Sequence, residues 1–186
     1  GTPGTGVGGS AISRNAEYLA FALALGAEAA SIAVAQYGAG VARRKYDGSL
    51  VTQTDEQIDH LISQRVAAAY PGDAVLSEEQ ATFFDPAIAR TWIVDPIDGT
   101  TNFTRGLPTW GISIAVVEGL RPVAAVLSFP MLNEIFTATA GSGAFRNGLP
   151  VSTAAGDPLD DEHIMMECSR TRRNFTFGLP VKTRML

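Results

Sequence analysis

The sequence has only one cysteine, Cys168, and two histidines among its 186 residues. A single thiol cannot form an intramolecular disulfide, so the fold does not depend on disulfides and suits a reducing compartment, which predicts a cytoplasmic location. The apolar neighbours Ile164, Met165 and Met166 favour a buried structural thiol over a catalytic one. The sequence also offers no His and Cys cluster of the kind that zinc prefers.

Positive charge is scarce as well. Lysine and arginine number 14 against 19 aspartates and glutamates, which gives a formal net charge of −5, and no dense basic run occurs. These features predict that the protein binds no nucleic acid polymer. They do not argue against a phosphorylated substrate, because acidic residues that collect divalent cations can reverse the local field and hold a phosphate.

Charge is almost absent from residues 18–42, where Glu28 is the only charged residue. This stretch contains more alanine than leucine, and its acid lies near the middle, where insertion into a membrane costs about 2.5–3.5 kcal/mol. We therefore predict a helix of a soluble domain and no membrane partner. A signal peptide, which Arg14 before the apolar run resembles, is the weaker alternative.

The remaining pattern predicts two helices followed by a series of strands. The glycine-rich residues 1–10 are assigned to a linker or an added segment, and alanine and leucine favour a helix at about 14–37. A second helix, capped by Thr54 or Asp55, ends before the breaker residues 70–72. Short strands are predicted at 74–77, 91–95, 109–117, 123–129 and 134–138, with a hairpin at 143–151. The short connections between the later strands indicate an antiparallel meander in an α+β layered domain.

Two carboxylates lie at and just beyond the end of the strand 91–95. Asp95 and Asp98 are three residues apart, in a turn that Pro96 stiffens and Gly99 makes flexible. They can face one another with the Ile97 carbonyl between them, and hard oxygen ligands of this kind suit Mg²⁺ or Mn²⁺. The alternative is that both aspartates only stabilise the turn.

Other polar residues extend this candidate site. The pair Glu78-Glu79 follows the strand 74–77, and neighbouring strands that end in carboxylates can gather acids around cations, although adjacent glutamates are usually a solvated loop. Asp55 opens the second helix, where an N-cap role is compatible with a role in the site. Gly99 and Thr100 offer backbone N–H groups that can hold a phosphate oxygen, and the Thr100 hydroxyl can orient a water.

Four sequence elements resemble the inositol monophosphatase family. The run from Asp95 to Phe103, Asp-Pro-Ile-Asp-Gly-Thr-Thr-Asn-Phe, is similar to the signature of that family. Residues 47–55 resemble its mobile loop and threonine-aspartate element, residues 76–79 resemble its glutamate pair, and residues 143–148 resemble a later hairpin. The four elements occur in the family's order over about residues 43–151, which makes the resemblance far more specific than any one of them.

The resemblance implies a layered αβαβα fold that is usually a homodimer. It implies hydrolysis of small phosphomonoesters that depends on Mg²⁺ and is sensitive to Li⁺, with two or three metal ions for which Mn²⁺ can substitute. The implied reaction is in-line attack on phosphorus by a metal-activated water, without a phosphoenzyme.

The resemblance also assigns roles to individual residues. Metal binding falls to Glu78, Glu79, Asp95, the Ile97 carbonyl and Asp98. The catalytic residues are Asp55, Glu78 and Thr100, of which Asp55 and Thr100 position or deprotonate the attacking water. Substrate binding falls to Gly99, Thr100 and Lys45, with Arg44 as the alternative to Lys45.

The family pattern further includes a Trp-Asp element whose aspartate binds the second metal, and no Trp-Asp pair occurs in this sequence. We therefore expect the native sequence to continue beyond Leu186. Residues 11–153 then form an N-terminal metal-binding domain, and residues 154–186 begin a C-terminal α/β subdomain that is incomplete. The alternative is a naturally short protein of low activity.

Mg²⁺-dependent hydrolysis of a small phosphomonoester resembling inositol monophosphate is the function that the sequence favours. The same chemistry on histidinol phosphate, fructose 1,6-bisphosphate or a 3′-phosphonucleotide is one alternative. A truncated module that binds metal or phosphate with little activity is the other.

Overall fold

The computed structural model describes residues 7–39, 42–44, 50–78, 84–85 and 87–152. All of these residues except Ser152 belong to one compact unit, Gly1–Val151. Some predictions fall on other residues: the subdomain at 154–186, the Cys168 thiol and the candidate site residues Lys45 and Glu79 lie outside the described residues. The division of the chain into domains stays a prediction.

Two long helices, α1 (Val7–Gln36) and α2 (Gln53–Ala69), pack against the main sheet. The first helix begins earlier than predicted and includes the last four residues of the glycine-rich stretch. Helix propagation adds a hydrogen bond for each residue that joins, so the strongly helical run that follows can extend over these glycines.

The segment Ala11–Gln36 of α1 is apolar enough, by length and composition alone, to cross a membrane, with a mean hydropathy of 1.7. One side of α1 nevertheless contacts the sheet. The side chains almost completely buried on this side are Ala22, Leu25, Ala29 and Ala33. Three of these four residues are alanines, whose small side chains let the helix lie close to the strands, which is the packing of a core helix.

Seven strands form the main sheet in the order β3-β4-β5-β6-β7-β8-β9. Their bounds are β3 Ala74–Ser77, β4 Arg90–Asp98, β5 Gly111–Glu118, β6 Arg121–Phe129, β7 Glu134–Thr139, β8 Gly143–Arg146 and β9 Leu149–Val151. Two short strands ahead of α2, β1 (Arg43–Arg44) and β2 (Leu50–Val51), pair with each other. A short helix, α3 (Thr100–Thr104), follows β4, and a 3-10 helix, Pro130–Leu132, joins β6 to β7.

The predicted antiparallel meander is confirmed for β5, β6 and β7, and the predicted hairpin is confirmed for β8 and β9. Antiparallel pairing also joins β4 to β5 and β7 to β8. The hairpin turn Asn147-Gly148 has both residues at positive φ, 49° and 79°, as a two-residue turn of this kind requires. The pairing of β3 with β4 is parallel, however, so the sheet is mixed. Residues 78–89 join these two strands, and a connection of that length is needed for parallel pairing. The carboxyl ends of β3 and β4 therefore lie at the same edge of the sheet.

The core lies between the helices and one face of the sheet. Every second residue of the central strands points into it, as the strand period requires, and α2 contributes residues at helical spacing. The largest fully buried side chains include Trp92, Ile112, Ile114, Val116, Ile58, Ile62 and Val66. This packing fixes the two elements, β4 and α2, that carry most of the candidate site.

Candidate active site

Asp55 lies in the first turn of α2, and the N-cap of that helix is Thr52, not Thr54 or Asp55 as the sequence suggested. The Thr52 hydroxyl accepts the Asp55 N–H at 3.3 Å, and Asp55 Oδ2 accepts the Thr52 N–H at 2.8 Å. This reciprocal arrangement is a capping box. The Thr-x-x-Asp spacing is its sequence signal, so Thr52 was detectable from the sequence but was missed.

Thr100, the first residue of α3, brings a hydroxyl to Asp55 from a distant part of the chain. Its Oγ1 lies 3.2 Å from Asp55 Oδ1 and 3.1 Å from the Ile97 carbonyl oxygen. The structure therefore brings together the two residues that the resemblance pairs for water activation.

Gly99 makes the tight turn from β4 into α3. Its φ of 87° lies in the left-handed region, and a Cβ atom there would lie 3.2 Å from the Thr109 carbonyl oxygen and 3.5 Å from the Trp110 Cα. Only glycine fits such a position without strain. The first N–H groups of a helix have no carbonyl partner within it, which is the feature that the predicted phosphate-binding role of Gly99 and Thr100 requires. That role stays a prediction.

Glu78 and Asp95 meet where the parallel strands β3 and β4 end. Ser77 pairs with Val94, and the Glu78 N–H donates to the Val94 carbonyl at 3.3 Å. Glu78 therefore continues the β3 backbone next to Asp95, and the predicted meeting of two acidic strand ends is confirmed for these two residues.

The backbone of β4 is irregular between the two aspartates. Asp95 pairs with Ser113 and Asp98 with Gly111, so three steps along β4 match two steps along β5. Pro96 lies inside this interval and has no N–H to donate, which favours a bulge over a regular ladder. The predicted turn between Asp95 and Asp98 is thus a bulge at the end of a strand that is longer than expected.

The carboxyl of Asp95 is in an unfavourable environment for a charge. Its Oδ1 atom is buried and has no hydrogen-bond partner among the residues that the structure describes. The pKa of Asp95 is raised to about 7, chiefly because burial penalises the charged form, and further by the negative charges of Glu78, Asp98 and Asp55. A backbone hydrogen bond from Ile97 acts in the opposite direction. A half-buried acid with one unpartnered oxygen, lying among other acids, is expected where a positive ligand belongs.

Burial also raises the pKa of Asp55, although hydrogen bonds from Thr52 and Thr100 act in the opposite direction. A carboxylate whose pKa is raised accepts a proton more readily. Together with its contact to the Thr100 hydroxyl, this suits Asp55 to the acceptor role in a proton transfer.

The residues present fit a divalent cation such as Mg²⁺. Within the part of the chain that the structure describes, no three Asp, Glu, His or Cys side chains enclose a point as a complete protein cage would. Mg²⁺ needs no such cage, because it commonly binds through one or two carboxylates and keeps several waters. Asp95 Oδ1, Asp98, Glu78 and the Ile97 carbonyl are hard oxygen donors of the type that it accepts.

The fold and the site define a class of protein: an α+β domain that gathers carboxylates at the shared edge of two parallel strands, beside a threonine-aspartate pair. A family model described as the inositol monophosphatase family matches residues 14–182. The chain belongs to the inositol monophosphatase family.

Relatives of known name agree with this assignment. Inositol monophosphatase 1 of Solanum lycopersicum is 36% identical over 130 residues, which cover 68% of this chain and 48% of the relative. A histidinol-phosphatase of Chlorobaculum parvum is 43% identical over 115 residues, covering 60% of this chain and 42% of the relative. The chain thus spans about half the length of these relatives.

Solved structures share the fold. A Thermotoga maritima IMPase matches with a TM-score of 0.73 and 30% identity, over 79% of this chain and 57% of the other. An IMPase/NADP phosphatase complexed with Mg²⁺ and phosphate matches with a TM-score of 0.62 and 28% identity, over 67% of this chain and 48% of the other. The layered α+β fold class that the sequence predicted is confirmed.

Proposed function

We propose that the full-length protein hydrolyses small phosphomonoesters in a Mg²⁺-dependent reaction. The observation that carries this proposal is the buried, unpartnered Asp95 Oδ1 among three other acids, beside the hydrogen-bonded pair of Asp55 and Thr100. The first feature is suited to bind a cation, and the second is suited to move a proton from a water. Bound Mg²⁺ would supply positive charge against the phosphate oxygens and make the attacking water more acidic.

The chain's own residues provide a route for the proton of that water. The Thr100 hydroxyl donates to Asp55 Oδ1 at 3.2 Å, which leaves lone pairs of Thr100 Oγ1 free to accept a hydrogen bond from water. As the water oxygen bonds to phosphorus, the bond between phosphorus and the alcohol oxygen of the substrate breaks, one water proton passes to Thr100 Oγ1, and the Thr100 proton passes to Asp55. The departing alkoxide takes a proton from solvent, and Asp55 afterwards returns its proton to solvent. Because the attacking oxygen belongs to water and the Thr100 hydroxyl is regenerated, no covalent phosphoenzyme forms.

The substrate that we propose is a small alcohol phosphate such as inositol monophosphate. The family and the relative in Solanum lycopersicum support it, whereas the relative in Chlorobaculum parvum supports histidinol phosphate as the second candidate. Comparing kcat/KM for the two substrates decides between them, because that ratio measures discrimination directly.

Release of phosphate by the full-length protein tests the reaction. We expect turnover that requires Mg²⁺ and that falls at least about 100-fold in Asp95→Asn and in Asp98→Asn, since each removes charge that would hold the cation. Asp85→Asn is the matched control, because Asp85 is exposed and its side chain accepts a hydrogen bond from the Ala87 N–H of its own loop. Equal turnover in the wild type and in all three variants would refute the proposal.

Family membership also supports more specific properties of the full-length protein. We expect two or three Mg²⁺ ions, replacement by Mn²⁺, inhibition by Li⁺, a homodimer and a cytoplasmic location. Metal analysis, activity assays with each ion, sedimentation and cell fractionation test these features separately.

A further inference from the structure

We propose that Thr52 is a positioning residue that sets the direction of the Asp55 carboxylate, so that Oδ1 faces Thr100. The inference rests on the proposed function, because it concerns the residue that would accept the proton. Thr52 is not among the residues to which the family resemblance assigns a role in metal binding or water activation.

The contacts divide the two oxygens of Asp55 between different partners. Oδ2 accepts both the backbone N–H of Thr52, at 2.8 Å, and the Thr52 hydroxyl. Oδ1 is left for the Thr100 hydroxyl, at 3.2 Å. The terminal torsion of an aspartate is otherwise broad, so two donors on one oxygen fix the plane of the whole carboxylate.

The Thr52 hydroxyl makes two hydrogen bonds with different roles. It accepts the Asp55 N–H at 3.3 Å, which is the helix-capping contact, and it donates to Asp55 Oδ2. Capping needs only an acceptor, and aspartate or asparagine would cap a helix as well as threonine. Donation to a carboxylate is the additional task, and an aspartate at position 52 could not perform it.

The surroundings make this orientation matter. Thr52 and Asp55 are 2% and 1% exposed, so water offers no substitute donor. Thr100 Oγ1 has a second acceptor, the Ile97 carbonyl at 3.1 Å, and its single proton serves one acceptor at a time. If Asp55 Oδ1 turned away, the Thr100 hydroxyl would donate to Ile97 instead, and the route for the proton would be broken.

Three variants of the full-length protein separate positioning from capping. Thr52→Ser keeps the hydroxyl and both tasks. Thr52→Val removes both tasks at nearly constant shape, and Thr52→Asp keeps the capping acceptor but loses the donor. Val66→Ala is the control for stability, because Val66 is a fully buried residue of α2 several turns beyond the site.

We expect kcat to fall about tenfold or more in Thr52→Val and Thr52→Asp, with KM changed less than about twofold, because the loss affects proton transfer and not substrate binding. Thr52→Ser should retain kcat within about twofold, and Val66→Ala should retain kcat in its folded fraction. A kcat in Thr52→Val equal to that of Val66→Ala would overturn the proposal.

The orientation of Asp55 in metal-free crystals gives a readout that does not depend on activity. We expect the carboxylate to keep its direction in Thr52→Ser and to turn away from Thr100 in Thr52→Val. An unchanged Asp55 in Thr52→Val overturns the role of Thr52 whatever the activity. If the wild-type protein shows no turnover, the proposed function fails, and a turned Asp55 in Thr52→Val still supports the positioning role.

Discussion

Asp95 is the residue at which the requirements of folding and of the candidate site conflict most clearly. A carboxyl buried without a partner for Oδ1 destabilises the metal-free fold when it is charged. The same group, once deprotonated, is the strongest candidate to bind a cation. Destabilising groups of this kind are frequent at functional sites.

The raised pKa of Asp95 makes the stability of the metal-free protein depend on pH. The folded-state value of about 7 lies above the value of about 3.9 in an unfolded chain. Between these two values the folded state binds one more proton than the unfolded state, which stabilises the folded protein. This contribution to the free energy of unfolding is complete below pH 4 and is lost as pH rises through 7. The free energy of unfolding falls by at most about 1.4 kcal/mol per pH unit in that range. Chemical denaturation of wild type and Asp95→Asn at several pH values measures this difference. Parallel pH profiles of the two proteins would contradict it.

Asp59 presents a second buried carboxyl that the proposed mechanism does not use. It is 1% exposed, and neither of its oxygens has a hydrogen-bond partner in the described part of the chain. We expect Asp59→Asn to raise the free energy of unfolding at pH 7 by roughly 1 kcal/mol or more, because a neutral amide costs less to bury than a carboxylate. Urea denaturation checks this, with the exposed Asp85→Asn as the neutral control. A lower stability of Asp59→Asn would mean that the carboxylate has a stabilising partner.

At the scale of elements, β5 supports the irregular end of β4. Gly111 pairs with Asp98, and a Cβ atom on it would lie 2.9 Å from the Ser128 carbonyl oxygen and 3.1 Å from the Phe129 ring. The glycine is therefore required by close packing between β5 and β6.

We expect Gly111→Ala to lower the free energy of unfolding by about 1–3 kcal/mol, the usual cost of overpacking, and to displace the strand next to Asp98. Gly72→Ala is the matched control, since a Cβ atom there meets nothing within 4 Å. Thermal unfolding of both variants gives the comparison. If Gly111→Ala were as stable as Gly72→Ala, β5 and β6 would be able to accommodate the added methyl group without loss of stability.

The sequence predicted elements well where local signals are strong. Alternation in β5 to β7 and the Asn147-Gly148 turn specified the meander, because strand period and turn chemistry are local properties. The parallel pairing of β3 with β4 was missed, since the direction in which a strand enters a sheet depends on distant contacts. The bulge in β4 was interpreted as a turn because Pro96 and Gly99 favour both structures.

The candidate site shows the same limit. The acids and Thr100 were found from their order and spacing, and the contact between Thr52 and Asp55 follows a local capping pattern. The contact between Asp55 and Thr100, in contrast, spans 45 residues. No local pattern encodes such a contact. The roles of all these residues in metal binding and catalysis stay predictions.

At the scale of the whole molecule, the site and the main polar anchor lie at opposite ends of β4. At the start of the strand, Arg90 donates to both Asp73 oxygens at 2.6 Å, and the Trp92 indole donates to Asp73 at 2.7 Å. The Asp73 side chain is only 4% exposed. The network ties β4 to the segment between α2 and β3.

We expect Asp73→Ala to lower the free energy of unfolding by about 3 kcal/mol, because it leaves Arg90 without its buried partner. The kcat of the folded fraction should stay unchanged, since the anchor is remote from Asp95. Denaturation and steady-state kinetics on the same preparation test both statements. A large loss of kcat in fully folded Asp73→Ala would show that the two ends of β4 are coupled.

The central claim is that the acids around Asp95 bind the cation that the reaction needs. Calorimetric titration of the full-length protein with Mg²⁺, in the presence of inorganic phosphate, tests it most directly. We predict saturable binding in wild type and Asp85→Asn that is weakened at least about tenfold in Asp95→Asn, since one of the carboxylates proposed to bind the ion is lost. Equal affinity in wild type and Asp95→Asn would contradict the account.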